Sequence, residues 1–235
     1  MKKRVGLFRV MMYEELDKAA ELMLRYSPKD AYEILDEILS QSISGNTFRR
    51  KALNNLTKVW GNGKKPLSEF QIEVLKKYAE ASIEEKSALQ ILMTLYSFPF
   101  FSDTITVIGK YVRMNDIFQS KTIMREIHNS YGMTETVNKG VLTVLGTLVN
   151  WEVLTTDKKG QYALTGRKIR IVDEFIKNVM MHSILVHSEA EYVPLELINT
   201  QSGLFMLEYS ITSSDINFDD IEVIRERIDT FIKLK

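Results

Sequence analysis

Side chains able to do chemistry gather in two short stretches. "TETVNKGVLT" places Thr134, Thr136, Asn138, Lys139 and Thr143 within ten residues, and "DKKGQ" supplies Lys158, Lys159 and Gln161. Arg167 and Lys168 follow closely. The chemistry these types suit is reversible hydrogen bonding. Asparagine can pair bidentately with adenine, and lysine can donate to guanine or to phosphate. Two lysines at a tight turn are compact donors for a phosphate backbone. Glu135, within the first stretch, could accept from cytosine but repels phosphate.

Covalent and metal chemistry find less support. His182 and His187 are five residues apart, with Glu189 and Glu191 after them. Helical metal pairs sit at i and i+4, whereas a spacing of five turns two rings about 140° apart. They read as surface or boundary histidines, and His128 as structural or phosphate-adjacent. "GNGKKP" lacks the length, the final Ser/Thr and the preceding strand of a phosphate loop. Carboxylate pairs such as Glu84–Glu85 and Asp219–Asp220 are adjacent and diverge on any regular element. With no cysteine, disulfides, thiolate metal sites and cysteine nucleophiles are all excluded. The expectation is a protein with no catalytic residues, no metal and no cofactor.

The elements that must position the two stretches are mostly helices. Val137, Val141, Val144, Leu148 and Trp151 recur at spacings of four, three, four and three, which predicts a helix over 134–151. Its opposite face carries Glu135, Asn138 and Lys139 early, then Leu142, Gly146 and Val149. The amino-terminal half should therefore project while the carboxyl-terminal half is wrapped on both sides. "SKTIMREIHNSYG" predicts a shorter helix before it, stopped at Gly132. "EVLTTDKKGQYALT" reads as a β-hairpin around Asp157–Gly160.

Upstream, about six helices are expected before residue 117. Ser27–Pro28, Ser68 with Gln71, and Ser82 with Glu85 carry the start signals of three of them. Pro99 should end or kink the helix before it, with a restart at Ser102–Asp103. "YSFPFF" could stack on bases, but four aromatics beside a proline read as a core plug. Arg49, Arg50 and Lys51 oppose the macrodipole of the helix they start. Either an anion sits there or neighbouring carboxylates neutralise them. Downstream, "RKIRIVDEFIKNVMMHSILVHS" reads as a long amphipathic helix and "GLFMLEYSI" as a strand. Residues 221–235 fit a helix or a hairpin turning at Ile228–Asp229; the strand-like stretch before them favours the hairpin.

The chain has 235 residues and a formal net charge of zero, with 45% hydrophobic residues. That describes an ordinary globular composition, ample to bury a core. The neutrality conceals an uneven spread. Residues 1–117 hold 18 basic and 15 acidic side chains, 118–170 eight and four, and 171–235 five and twelve. A charged partner near the middle and a separate protein contact for the acidic end are the expectation. No segment reads as a signal peptide or reaches the roughly 20 apolar residues of a membrane span. A cytoplasmic protein with no membrane contact is expected.

A helix, a tight turn, a second helix and a hairpin within Phe118–Thr165 resemble the winged-helix family of helix-turn-helix domains. The resemblance implies that the second helix enters the major groove by its amino-terminal part while the hairpin touches the backbone or the minor groove. More loosely, "SGNTFRRKALNNLTKVW", "EKSALQILMTLYSFPFFSDTITVIGKYV" and "GMTETVNKGVLTVLGTLVNWEVL", in that order, resemble the helical BrxA proteins of bacterial phage-defence (BREX) islands. DNA binding is what that likeness implies. The fold expected is mainly α: a helical bundle over 1–117, a winged helix over 118–166 and a small acidic α+β part over 167–235. Double-stranded DNA is the expected partner. The alternative is a scaffold in a multi-protein assembly that uses the same module for packing.

Overall fold

A computed structural model describes residues 4–226 and 229–235. The protein is mainly helical. Six helices come first: α1 (Tyr13–Arg25), α2 (Pro28–Ser42), α3 (Asn46–Trp60), α4 (Glu69–Glu80), α5 (Ile83–Ser97) and α6 (Pro99–Val112). A short strand β1 (Ile117–Gln119) leads to α7 (Ser120–Tyr131) and α8 (Glu135–Asn150). Then come β2 (Leu154–Thr155), β3 (Gln161–Leu164), β4 (Ile169–Arg170) and α9 (Glu174–Leu185). The chain ends with β5 (Val193–Pro194), α10 (Leu195–Asn199), β6 (Leu207–Glu208), β7 (Ile221–Glu226) and β8 (Asp229–Leu234).

The helix starts follow local chemistry. Ser68 Oγ accepts from the Gln71 amide at 3.2 Å while Gln71 Oε1 accepts from the Ser68 amide at 3.0 Å. Ser82 and Glu85 make the same reciprocal pair. Each satisfies two amides that a helix start leaves orphaned. Pro99 occupies the first position of α6, where its missing N–H costs nothing. The restart thus comes at Pro99, three residues before Ser102.

Helix α5 is buried almost from end to end and packs against α1, α3, α4, α6 and α9. Phe98, Phe100 and Phe101 are fully enclosed, so the aromatic run is a core plug. One continuous set of buried apolar side chains runs from Val5 and Leu7 through all the long helices to Ile221 and Ile232. No single described helix is long and apolar enough to cross a membrane; α5 and α6 approach that only as a pair bent by 116°.

Among the described residues, three small sheets complete the fold. β3 is the centre of the first, antiparallel to β1 on one side and β2 on the other. β4 pairs in parallel with β6, and β8 lies between β5 and β7. β7 and β8 pair antiparallel in the hairpin arrangement, with Asp229 already inside β8 and opposite Glu226; Arg227 and Ile228 lie outside the described residues. Two expectations downstream of the hairpin 154–164 need correction. Helix α9 starts only at Glu174, capped by Asp173, whose Oδ1 accepts from the Ile176 amide at 3.0 Å. The preceding "KIRIV" is extended because its alternating isoleucines, Ile169 and Ile171, turn inward beside β6. In "GLFMLEYSI" only Leu207–Glu208 is strand, since Ser202–Leu204 is a 3₁₀ turn pressed against α6.

Candidate nucleic-acid interface

Helix α7 ends at Gly132, and two residues later Thr134 caps α8, its Oγ1 accepting from the Val137 amide at 3.2 Å. The stripe Val137, Val141, Val144, Leu148 and Trp151 is buried as its spacing predicts. Thr134, Glu135, Thr136 and Lys139 are exposed in the first turns. The carboxyl-terminal half is covered from a second side by the segment that precedes α1. Its Met11 amide donates to Thr147 Oγ1 at 3.1 Å, and the Tyr13 amide at the start of α1 donates to Asn150 Oδ1 at 2.9 Å. Gly140 and Gly146 make room for this segment: a β-carbon on Gly140 would stand 2.5 Å from Val5 Cγ1, and one on Gly146 2.8 Å from Val10 Cγ2. The graded burial is real, and the amino-terminal segment produces it. Leu142 departs from the pattern, remaining 44% exposed.

Two side chains on the projecting half are constrained. Asn138 is half-buried rather than free, with its Oδ1 2.7 Å from His128 Nε2 on α7. Lys139 pairs with Glu135 one turn earlier at 2.7 Å, and that contact holds the Glu135 carboxyl below its ordinary range. Thr143 Oγ1 donates back to the Lys139 carbonyl at 2.9 Å, while Thr136 is open.

The hairpin brings its tip beside this helix pair. The Ser120 amide at the start of α7 donates to the Gly160 carbonyl at 2.9 Å, and β1 ties Gln119 opposite Gln161. Gln161 is thereby half-buried in the sheet. Lys158 and Lys159 are exposed, with no ion pair among the described residues. The Lys158 carbonyl accepts from the Gln161 amide at 2.9 Å, which closes the turn.

Arg167 and Lys168 are committed elsewhere. Arg167 pairs with Glu152 at 3.0 Å, and Lys168 Nζ donates to the Phe205 carbonyl. Glu152 itself has φ 57° and closes α8 in the left-handed conformation that glycine usually fills. The chain, compared with known protein families, with curated proteins and with solved structures, matches none.

The histidine pair separates as its spacing implies. His182 Nε2 meets Asp220 Oδ2 at 2.8 Å with its ring stacked on Phe70, whereas His187 Nε2 meets the Leu95 carbonyl at 2.9 Å. Residue types alone did not single out the amino-terminal segment, although Val5 and Leu7 alternate inward. Lys121 and Arg125, exposed on α7, also join the basic side chains of this region.

Proposed function

We propose that the protein is a non-enzymatic binder of double-stranded DNA, with α8 as the reading helix and the 156–160 turn as a backbone clamp. The order α6, β1, α7, α8, β2, β3, with β3 between β1 and β2, supports reading this region as a winged helix. The observation that carries the reading is the pairing of an exposed helix start with a tip bearing two unpaired lysines. Thr136 and Lys139 are exposed on one ridge of α8 with Thr143 half-buried behind them. The turn that carries the exposed Lys158 and Lys159 is tied to the start of the adjoining helix α7 through the Ser120 amide. Helix starts favour anions, and lysines release counterions when they meet phosphate.

Exchanging both tip lysines, Lys158→Glu with Lys159→Glu, tests the reading. Anisotropy titrations on a duplex at several salt concentrations should show weaker binding for every sequence. The slope of log affinity against log salt should shrink by about two. Unchanged affinity at low salt would remove the turn from the interface.

A second reading rests on Met133 and Leu142, exposed on either side of Lys139. Apolar side chains there suit a protein partner, with the module used for packing. A wild-type protein without salt-dependent affinity for any duplex would favour it.

A further inference from the structure

The segment before α1 carries Phe8, 50% exposed, at a point where nothing in a core explains it. Phe48, 63% exposed, stands at the start of α3. Lys51 Nζ lies 5.9 Å from the centre of the Phe8 ring and 5.6 Å from that of Phe48, so one ammonium joins the two rings. The segment is pinned to α3 by Asn55 Nδ2, which donates to the Arg9 carbonyl at 3.3 Å. Around the rings the charge is positive. Arg49 is taken by Asp36 at 2.7 Å, but Arg50 and Lys51 have no carboxylate partner among the described residues. The same segment borders α8, with Val5 against Gly140 and Val10 against Gly146. Phe8 therefore sits no more than about 7 Å of chain from Val10, along the flank of the proposed reading helix.

Building on the duplex reading above, we propose that this patch holds an unpaired strand that continues from the duplex on α8. Single exposed phenylalanines need no explanation, but two rings converging on one cation beside a second free cation form a particular surface. Cations alone would suffice to clamp duplex phosphates. Ring faces gain nothing from paired bases, whose own faces are stacked inside the helix. Unpaired bases can stack on the rings, while Arg50 and Lys51 neutralise the phosphates between them.

Three probes of one sequence test this by anisotropy: a blunt duplex, the same duplex with an oligo-dT tail of about ten nucleotides, and the dT strand alone. Wild type should prefer the tailed to the blunt duplex by about tenfold, the gain expected from stacking one or two bases. Phe8→Ala with Phe48→Ala should abolish the preference and leave blunt-duplex affinity unchanged. If the Phe8 change unfolds the segment, Phe48→Ala alone should reduce the preference severalfold. A 2-aminopurine in the tail should lose fluorescence on wild type and keep it on the double variant. Equal affinity for tailed and blunt duplexes, with salt-dependent duplex binding intact, overturns this inference alone. Absence of any duplex binding removes the reading on which it rests. Self-association abolished by the double variant, without a tail preference, overturns it in favour of protein contact.

Discussion

Asn138 illustrates how a neighbour changes what a side chain can read. By type it could embrace adenine with both carboxamide atoms. With Oδ1 held at 2.7 Å by His128, only its Nδ2 hydrogens remain to donate, so it addresses a single acceptor. His128→Ala should therefore alter base preference more than affinity. Adenine should gain over guanine at one position, measured on duplexes differing in that base pair. Equal discrimination before and after the change would show that Asn138 does not read a base. Lys168 gives the opposite case. Its ammonium is spent on the Phe205 carbonyl, so Lys168→Ala should leave duplex affinity within about twofold while lowering the melting temperature. Lys139→Ala, by contrast, should weaken binding and reduce the salt slope by about one. Its exposed contact with Glu135 is one that phosphate can displace.

Among the elements, α8 was legible because a four–three spacing of five apolar residues admits few alternatives to a helix. The capped starts at Ser27, Ser68 and Ser82 were legible because each cap is a local hydrogen bond. The hairpin 154–164 declared itself by its turn, but its third strand did not. Three residues, Ile117–Gln119, have no periodicity of their own, and only pairing with β3 makes them a strand. For the same reason Arg167 and Lys168, basic and close in sequence, could not be excluded from the site. Their diversion depends on Glu152 and on a carbonyl 37 residues away. Segment 5–12 was missed because what it covers lies 136 residues distant, at Thr147. Its close approach to α8, and that of the Ser202 backbone to α6, predict an ordered series of Gly→Ala effects. A β-carbon on Gly109 would fall 1.8 Å from the Ser202 backbone oxygen, which cannot rotate away. One on Gly140 meets Val5 and the Phe100 ring at 2.5 and 2.8 Å, and one on Gly146 meets only Val10 side-chain atoms. Overpacking costs roughly 1–3 kcal/mol or more, against a gain of about 1 kcal/mol from replacing a mid-helix glycine. Urea denaturation should rank the losses Gly109→Ala, then Gly140→Ala, with Gly146→Ala near zero. A Gly140→Ala loss no larger than that of Gly146→Ala would mean that the segment does not pack along α8 as described.

At the scale of the whole molecule, the acidic end is partly absorbed into the fold. Asp173 meets Lys77 at 2.5 Å, Asp215 meets Lys177 at 2.8 Å, Asp220 meets His182, and Glu222 meets Lys233 at 3.4 Å. The first pair joins the start of α9 to α4, the next two join residues 215 and 220 to α9, and the last lies within the terminal hairpin, so stability should depend on pH in two stages. His182 and His187 both have their pKa lowered below 6.5 by burial, with Asp220 and the Leu95 carbonyl opposing only in part. The folded protein then binds fewer protons than the unfolded chain once the pH is near or below 6.5. Stability present above that value is lost as the pH falls towards the folded pKa of each histidine. The carboxylates follow lower down. Burial, the largest single influence, would raise Asp173 and Asp215. It is outweighed by the sum of hydrogen bonds from Lys77 and the Ile176 and Phe175 amides at the first, from Lys177 and Thr212 at the second, and the two lysine charges, so both are lowered below 3.8. Their contribution is complete above 3.8 and disappears only as the pH falls through those lowered values. Melting temperatures from about pH 7.5 down to about pH 3 should thus show one decline beginning near 6.5 and a second below 4. His182→Gln with His187→Gln should flatten the first decline and leave the second, whatever the change does to stability at neutral pH. A wild-type protein equally stable at pH 7.5 and pH 5 would show that neither imidazole is held neutral by its surroundings.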